Sequence, residues 1–204
     1  MYQRLDELGS DKTQPLYQRP WAMASDTPFK FYKLWPYRGG VQTPLIVSWP
    51  VEIRNHGMRQ QFLDIIDITP TVLDIVGVAA PAIFDGVCQI PIQGKSIRAT
   101  FHNPAAPNPR DTQYFELWGS RGIWHDGWEA IGIHKPGTSF ELDRWELYHA
   151  EKDFSQSVNV ASTYPARLEE LKKLWWSEAA KNGALPLLEA PLGRQKTYDQ
   201  ALPA

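Results

Sequence analysis

Cysteine is almost missing: Cys88 is the only one in 204 residues. That excludes an intrachain disulfide and any zinc site built from several thiolates, and Cys88 itself reads as a half-buried small residue rather than a catalytic thiol. Long apolar runs are missing as well, since nothing approaches the roughly 20 residues needed to span a bilayer. The opening residues, M-Y-Q-R-L-D-E-L-G-S, lack the apolar core of a secretory signal. Neither sign of charge dominates: 21 Lys and Arg stand against 23 Asp and Glu, for a net charge of -2. Without a basic stripe, nucleic acid is not an expected partner, and neither is a membrane.

Aromatics and prolines are abundant instead, with nine tryptophans and seventeen prolines. The prolines fall between short apolar runs, so short elements and loops are expected over long helices. An apolar content of 43% suits a soluble globular chain able to bury one core and a small satellite. The organising stretch is F-K-F-Y-K-L-W-P-Y-R-G-G-V-Q-T-P-L-I-V-S-W-P, residues 29–50. Paired glycines at Gly39 and Gly40 suit a turn of positive φ or a close approach to a ligand. The run Leu45–Trp49, delimited by Pro44 and Pro50, reads as a buried strand. Lys33, six residues before the first glycine, makes this a candidate anion-binding turn.

The rest of the chain is read in order. Residues 1–28 form a polar, irregular surface segment whose Trp21–Ala24 cluster is apolar enough to pack on a neighbouring body. His56 lies in a polar loop and reads as a solvated side chain. Thr69 is a suitable N-cap and Pro70 a suitable first residue for a helix with Val72, Leu73, Ile75 and Val76 on its apolar face, ended by Gly77. Phe62–Ile68 before it is a strand or an extended entry to that helix. Asp64 and Asp67 are readable as metal ligands or as a cap and a surface charge, and the structural reading is preferred. Residues 79–112 are proline-rich connection. Gly94–Lys95–Ser96 lacks the upstream glycine spacing of a phosphate loop.

From residue 113 the texture becomes aromatic and β-rich. Gln113–Trp118, Arg121–His125, Trp128–Ile133 and Arg144–Tyr148 predict an antiparallel sheet of four strands, with turns at Gly119–Ser120 and Asp126–Gly127. Leu168, Leu171, Leu174, Trp175 and Ala179 recur at helical spacing and predict an amphipathic helix that ends at Gly183 and covers one sheet face. The aromatics are expected as core rather than as a stacking platform. His125 and Asp126 are expected as a structural pair, because adjacent strand residues point to opposite faces. The tail from Leu188 is polar.

The pattern Lys33-x5-Gly39-Gly40-Val41-x-x-Pro44-Leu45-Ile46-Val47-x-Trp49-Pro50 resembles the sulfatase family, bacterial arylsulfatases above all. The helix D-I-T-P-T-V-L-D-I-V-G, the link Pro91 to Ile97, and the order Q-Y-F-E, R-G-I-W-H-D-G-W, W-E-L-Y are similar to the same family, so the resemblance runs from about residue 20 to 187. It departs at Gln42, where arginine is usual, and at Tyr37. The resemblance implies that Lys33 contacts the sulfate group of a small-molecule ester, and Lys33 is the single catalytic residue carried over. It also implies a formylglycine made from Cys or Ser in a [Cys/Ser]-x-Pro-x-Arg motif, and Ca2+ held by an Asp pair and an Asp-Asn pair. None of these motifs is recognisable here: Cys88 leads C-Q-I-P-I and Ser48 leads S-W-P-V-E.

The expectation is therefore an α/β fold, the C-terminal part of an alkaline-phosphatase-like sulfatase. Residues 1–112 would close the catalytic domain, 113–187 would form the sheet and its covering helix, and 188–204 a tail. The expected function is an arylsulfatase-type sulfuric ester hydrolase, with this chain as a C-terminal fragment inactive alone. The alternatives are a phosphonate or phosphate monoester hydrolase of the same superfamily and a non-catalytic binding module.

Overall fold

The structure, a computed structural model, describes residues 2–7, 9–12 and 17–189. After a 3-10 turn at Tyr2–Glu7 come α1 (Arg19–Ser25), α2 (Arg38–Val41), α3 (Ile68–Val76), β1 (Ile83–Phe84), β2 (Val87–Cys88) and α4 (Ala99–His102). Then follow β3 (Thr112–Leu117), β4 (Ser120–His125), β5 (Trp128–Gly132), β6 (Trp145–His149) and α5 (Pro165–Lys181). The chain divides into two compact units, one formed by the described parts of Met1–Thr43 and Tyr114–Ala204, the other by Pro44–Gln113. Residues 1–112, expected together, are thus shared between two units.

The first unit is built on a four-stranded antiparallel sheet in the order β3-β4-β5-β6. Its two hairpins are closed by Trp118–Gly119 (φ 53° and 83°) and Asp126–Gly127 (φ 47° and 76°). Positive φ at both central residues gives the turn twist that matches paired strands. In register, Ala130 lies opposite Ile123 and Leu147, while Glu129 lies opposite Trp124 and Tyr148. Side chains alternate between faces, so these two sets point in opposite directions. Ile123, Ala130 and Leu147 pack with Leu171, Trp175 and Ala179 of α5, all of them buried. Pro165 opens this helix and Gly183 (φ 71°) follows its end. Ile131 and Tyr148, on the other face, pack with Trp35 and Tyr37. The sheet is therefore covered on both sides, by a helix and by the loop that carries Lys33.

α1 corrects the reading of residues 1–28 as irregular. Pro20 sits in its first turn and none of its residues is buried, Trp21 being 66% exposed. Among the described residues, nothing buries the Trp21–Ala24 cluster. The tail expected from Leu188 lies, from residue 190 on, outside the described residues.

The second unit depends on polar connections more than on apolar ones, since its buried apolar residues are Ile97, Phe101 and Ala106. Asp67 is its hub: the carboxylate takes the Asp64 amide at 2.9 Å and the Lys95 amide at 2.8 Å, and pairs with the Arg110 guanidinium. The Asp64 side chain accepts from the Ile66 amide at 3.1 Å, completing a capping box around a 3-10 turn at Ile65–Asp67. That turn runs directly into α3, so Phe62–Ile68 is neither a strand nor an extended entry throughout, and the helix starts ahead of Thr69. Asp67 is also buried rather than a surface charge. A Cβ at Gly94 would stand 1.9 Å from the Ile66 carbonyl oxygen, which explains the glycine as a close backbone crossing. Within the proline-rich stretch, Asp85–Gly86 (φ 49° and 76°) closes the short β1–β2 hairpin.

The expected strand Leu45–Trp49 does not form. The segment has no regular secondary structure and joins no sheet among the described residues, and Ile46 is 90% exposed. High β propensity makes a strand only where a neighbour supplies ladder partners. The face of α3 is likewise less buried than its pattern suggests, with Val72 and Val76 both exposed.

Candidate functional site

Lys33 sits on an exposed turn of the loop covering the sheet. No described residue forms a hydrogen bond or ion pair with its side chain. Its neighbours Phe31 (φ 60°) and Leu34 (φ 90°) both occupy the left-handed region, where a side-chain-bearing residue is held only by its surroundings. The surroundings here are the paired glycines. They take neither a positive φ nor a turn; both lie within α2. A Cβ on Gly39 would stand 2.2 Å from the Phe31 carbonyl oxygen, and one on Gly40 would stand 2.0 Å from that of Trp35. The Gly39 amide donates to the Lys30 carbonyl at 3.0 Å. The expected close approach is real, but it is made by the chain's own loop, pressed against α2 so that its apex carries Lys33.

Two polar clusters fix this loop to the sheet. In the first, the Lys30 ammonium donates to the Tyr148 hydroxyl at 2.9 Å and lies 4.9 Å from that ring's centre. The hydroxyls of Tyr148 and Tyr37 donate to the same oxygen of Glu146, at 2.5 and 2.8 Å. Burial, then the Glu146 carboxylate, push both phenols far above their ordinary range, so they remain donors. In the second, Arg38 donates through Nε to Glu129 at 3.0 Å, through Nη1 to the Phe154 carbonyl at 3.0 Å, and through Nη2 to the Ala150 carbonyl at 2.9 Å. Pro36 approaches the sheet where β4 has Gly122, whose absent side chain leaves room: a Cβ there would lie 3.0 Å from the proline's.

Reading the sequence alone missed Arg38, Glu129, Glu146 and Lys30. The available signal was alternation: Glu129 and Glu146 stand beside Ala130 and Leu147 of the helix-facing set. Such acids read as a solvated face, yet Lys30 and Arg38, two of the three cations in residues 30–38, complement them.

The other candidates have surroundings of their own. His56 is exposed, and Cys88 is exposed on the β1–β2 hairpin rather than half-buried. Asp126 occupies a turn position with φ 47°, while the His125 carbonyl accepts from Arg167 at 3.3 Å. Most sheet aromatics serve as core, as expected: Trp124 and Tyr148 are buried, and Tyr114, Trp128 and Trp145 pack against the cluster that holds Trp175 of α5, whose indole donates to the Phe115 carbonyl at 3.0 Å. Among the described residues no three His, Cys, Asp or Glu side chains are grouped to hold a metal ion. Asp67, the most buried carboxylate of the second unit, has its oxygens engaged by Arg110 and by amides. The described residues thus offer no carboxylate set that fits Ca2+.

A family model described as N-sulphoglucosamine sulphohydrolase, C-terminal, matches residues 29–178. An uncharacterized sulfatase of Schizosaccharomyces pombe is 30% identical over 183 residues, which are 89% of this chain and 32% of that protein. Arylsulfatase K of Xenopus laevis is 24% identical over 150 residues, 71% of this chain and 27% of that protein. The chain thus spans about a third of the length of these curated relatives. The crystal structure of Ps i-CgsB matches with a TM-score of 0.57 at 19% identity, over 86% of this chain and 37% of the other. A Bacteroides thetaiotaomicron structure from a study of glycosaminoglycan metabolism matches with a TM-score of 0.55 at 19% identity, over 71% of this chain and 30% of the other. These likenesses establish the fold, and the family match covers well over half of the residues, the Lys33 loop, sheet and most of α5 included. The chain belongs to the sulfatase family, and what it carries is that family's N-sulphoglucosamine sulphohydrolase-type C-terminal region.

Proposed function

We propose that this chain contributes to an arylsulfatase-type sulfuric ester hydrolase and that Lys33 holds the sulfate group of a small-molecule ester. The observation that supports it is an ammonium that no described residue engages, at the apex of a loop held in a strained conformation. A cation fixed in advance stabilises developing negative charge without the cost of reorganising at the moment of reaction. In a complete site, one such donor contributes about 2.7–4 kcal/mol to the transition state. Cleavage also needs a nucleophile, a cation on the sulfate oxygens and a proton for the leaving group. In the family the first two are the formylglycine and Ca2+, and this reading assigns all three to residues other than the ones described.

The test is to read the coding sequence ahead of Met1, express the whole frame, and assay 4-nitrophenyl sulfate against a phosphonate monoester. Hydrolysis of the sulfate ester, with a [Cys/Ser]-x-Pro-x-Arg motif in the added sequence, is expected. An in-frame stop with no such motif contradicts the enzymatic reading, and preferential phosphonate hydrolysis contradicts the sulfatase one.

A further inference from the structure

Glu129 has both carboxylate oxygens engaged beneath the Lys33 loop. One accepts from Arg38 Nε at 3.0 Å and the other from Gln156 Nε2 at 2.8 Å. The amide oxygen of Gln156 accepts in turn from the backbone N–H of Arg38 at 3.0 Å. Arg38, Gln156 and Glu129 therefore close a ring in which every donor has one acceptor. The ring dictates its own chemistry. Gln156 must aim its oxygen at the Arg38 amide, so its NH2 must face residue 129, and residue 129 must accept twice. Only a carboxylate does so. A glutamine at 129 would set an NH2 against one of two donors, and turning Gln156 over would merely move the conflict to the Arg38 amide. Gln156 is buried and held at φ 55°, and the guanidinium also grips the carbonyls of residues 150 and 154.

Arg38 immediately precedes Gly39, whose amide binds Lys30 and whose Cα crowds Phe31. Anchoring Arg38 therefore anchors the closing end of the Lys33 loop onto β5. We propose that Glu129 is a positioning residue for Lys33, acting through Arg38 and Gln156 as a latch that holds the loop at one height above the sheet. The role in sulfate contact rests on the reading of Lys33 given above; the latch itself does not.

Amide hydrogen exchange on the full chain compares the wild type with Glu129→Gln and with Gln156→Leu, which opens the ring but spares the Arg38–Glu129 ion pair. Either variant raises exchange at the Gly39 amide about tenfold or more while β5 and β6 keep their protection, as local opening requires. Unchanged exchange at Gly39, or an equal rise across the sheet, overturns the latch. Should Glu129→Gln fail to fold, Gln156→Leu gives the same readout. Turnover of 4-nitrophenyl sulfate by the complete reading frame supplies the second arm. Glu129→Gln lowers kcat/KM by about tenfold to a hundredfold when Lys33 is present, and adds little in a Lys33→Ala background. A full additional loss in that background overturns the positioning role. Wild-type turnover by Lys33→Ala alone would instead overturn the sulfate-contact reading and leave the exchange result standing.

Discussion

Gly40 presses against the Trp35 carbonyl so closely that any side chain must displace backbone rather than a flexible group. Gly40→Ala is expected to cost about 1–3 kcal/mol through overpacking, read as a lower urea midpoint with an unchanged slope. Asp153 illustrates a different residue-scale effect. Burial raises its pKa, but the amides of Val158 and Ser157, the Ser157 hydroxyl and Lys30 together outweigh that and hold it below the ordinary carboxylate value. A folded pKa below the unfolded one adds stability above the unfolded value, and that stability is lost as pH falls through the folded one. Asp153→Asn should therefore be less stable than the wild type at pH 7, with the gap closing below roughly pH 4. A gap of equal size at pH 2 would contradict the assignment. At this scale the spacing of a family pattern singled out Lys33 as a candidate. It did not reveal Glu129, because its partner Arg38 lies 91 residues away and nothing local to either residue marks the pairing.

α5 and the sheet hairpins were the most legible elements, because their signals are local: apolar residues at helical spacing and Asp-Gly at a tight turn. The packing behind them is testable at Trp175. Its ring lies edge-on to Tyr114, Trp145 and Trp176, and the Arg121 guanidinium sits 5.7 Å from its centre. Trp175→Ala is expected to cost about 3–5 kcal/mol, as truncating a buried aromatic does, measured by chemical unfolding. A loss under 1 kcal/mol would mean that α5 is not what seals that face. Elements whose existence depends on distant partners were less legible. Leu45–Trp49 has the composition of a strand and no ladder partner among the described residues. α3 begins at Ile68, two residues ahead of the start that its Thr-Pro signal suggests, because the 3-10 turn capped by Asp64 and Asp67 runs straight into it.

Over the whole molecule, the sheet of the first unit links covering helix and candidate site. One face takes α5 by apolar packing; the opposite face uses two acids and a tyrosine to grip the loop that presents Lys33. That division explains why the glutamates of β5 and β6 are not a solvated face, and why the lysine is held without being consumed by an ion pair. The most direct measurement is kcat/KM for 4-nitrophenyl sulfate in the complete reading frame, wild type against Lys33→Ala. Because Lys33 is exposed and engages no described residue, the substitution should leave the melting temperature unchanged while lowering kcat/KM by about 10²–10³-fold. Turnover equal to that of the wild type would contradict the assignment of Lys33 to the sulfate site.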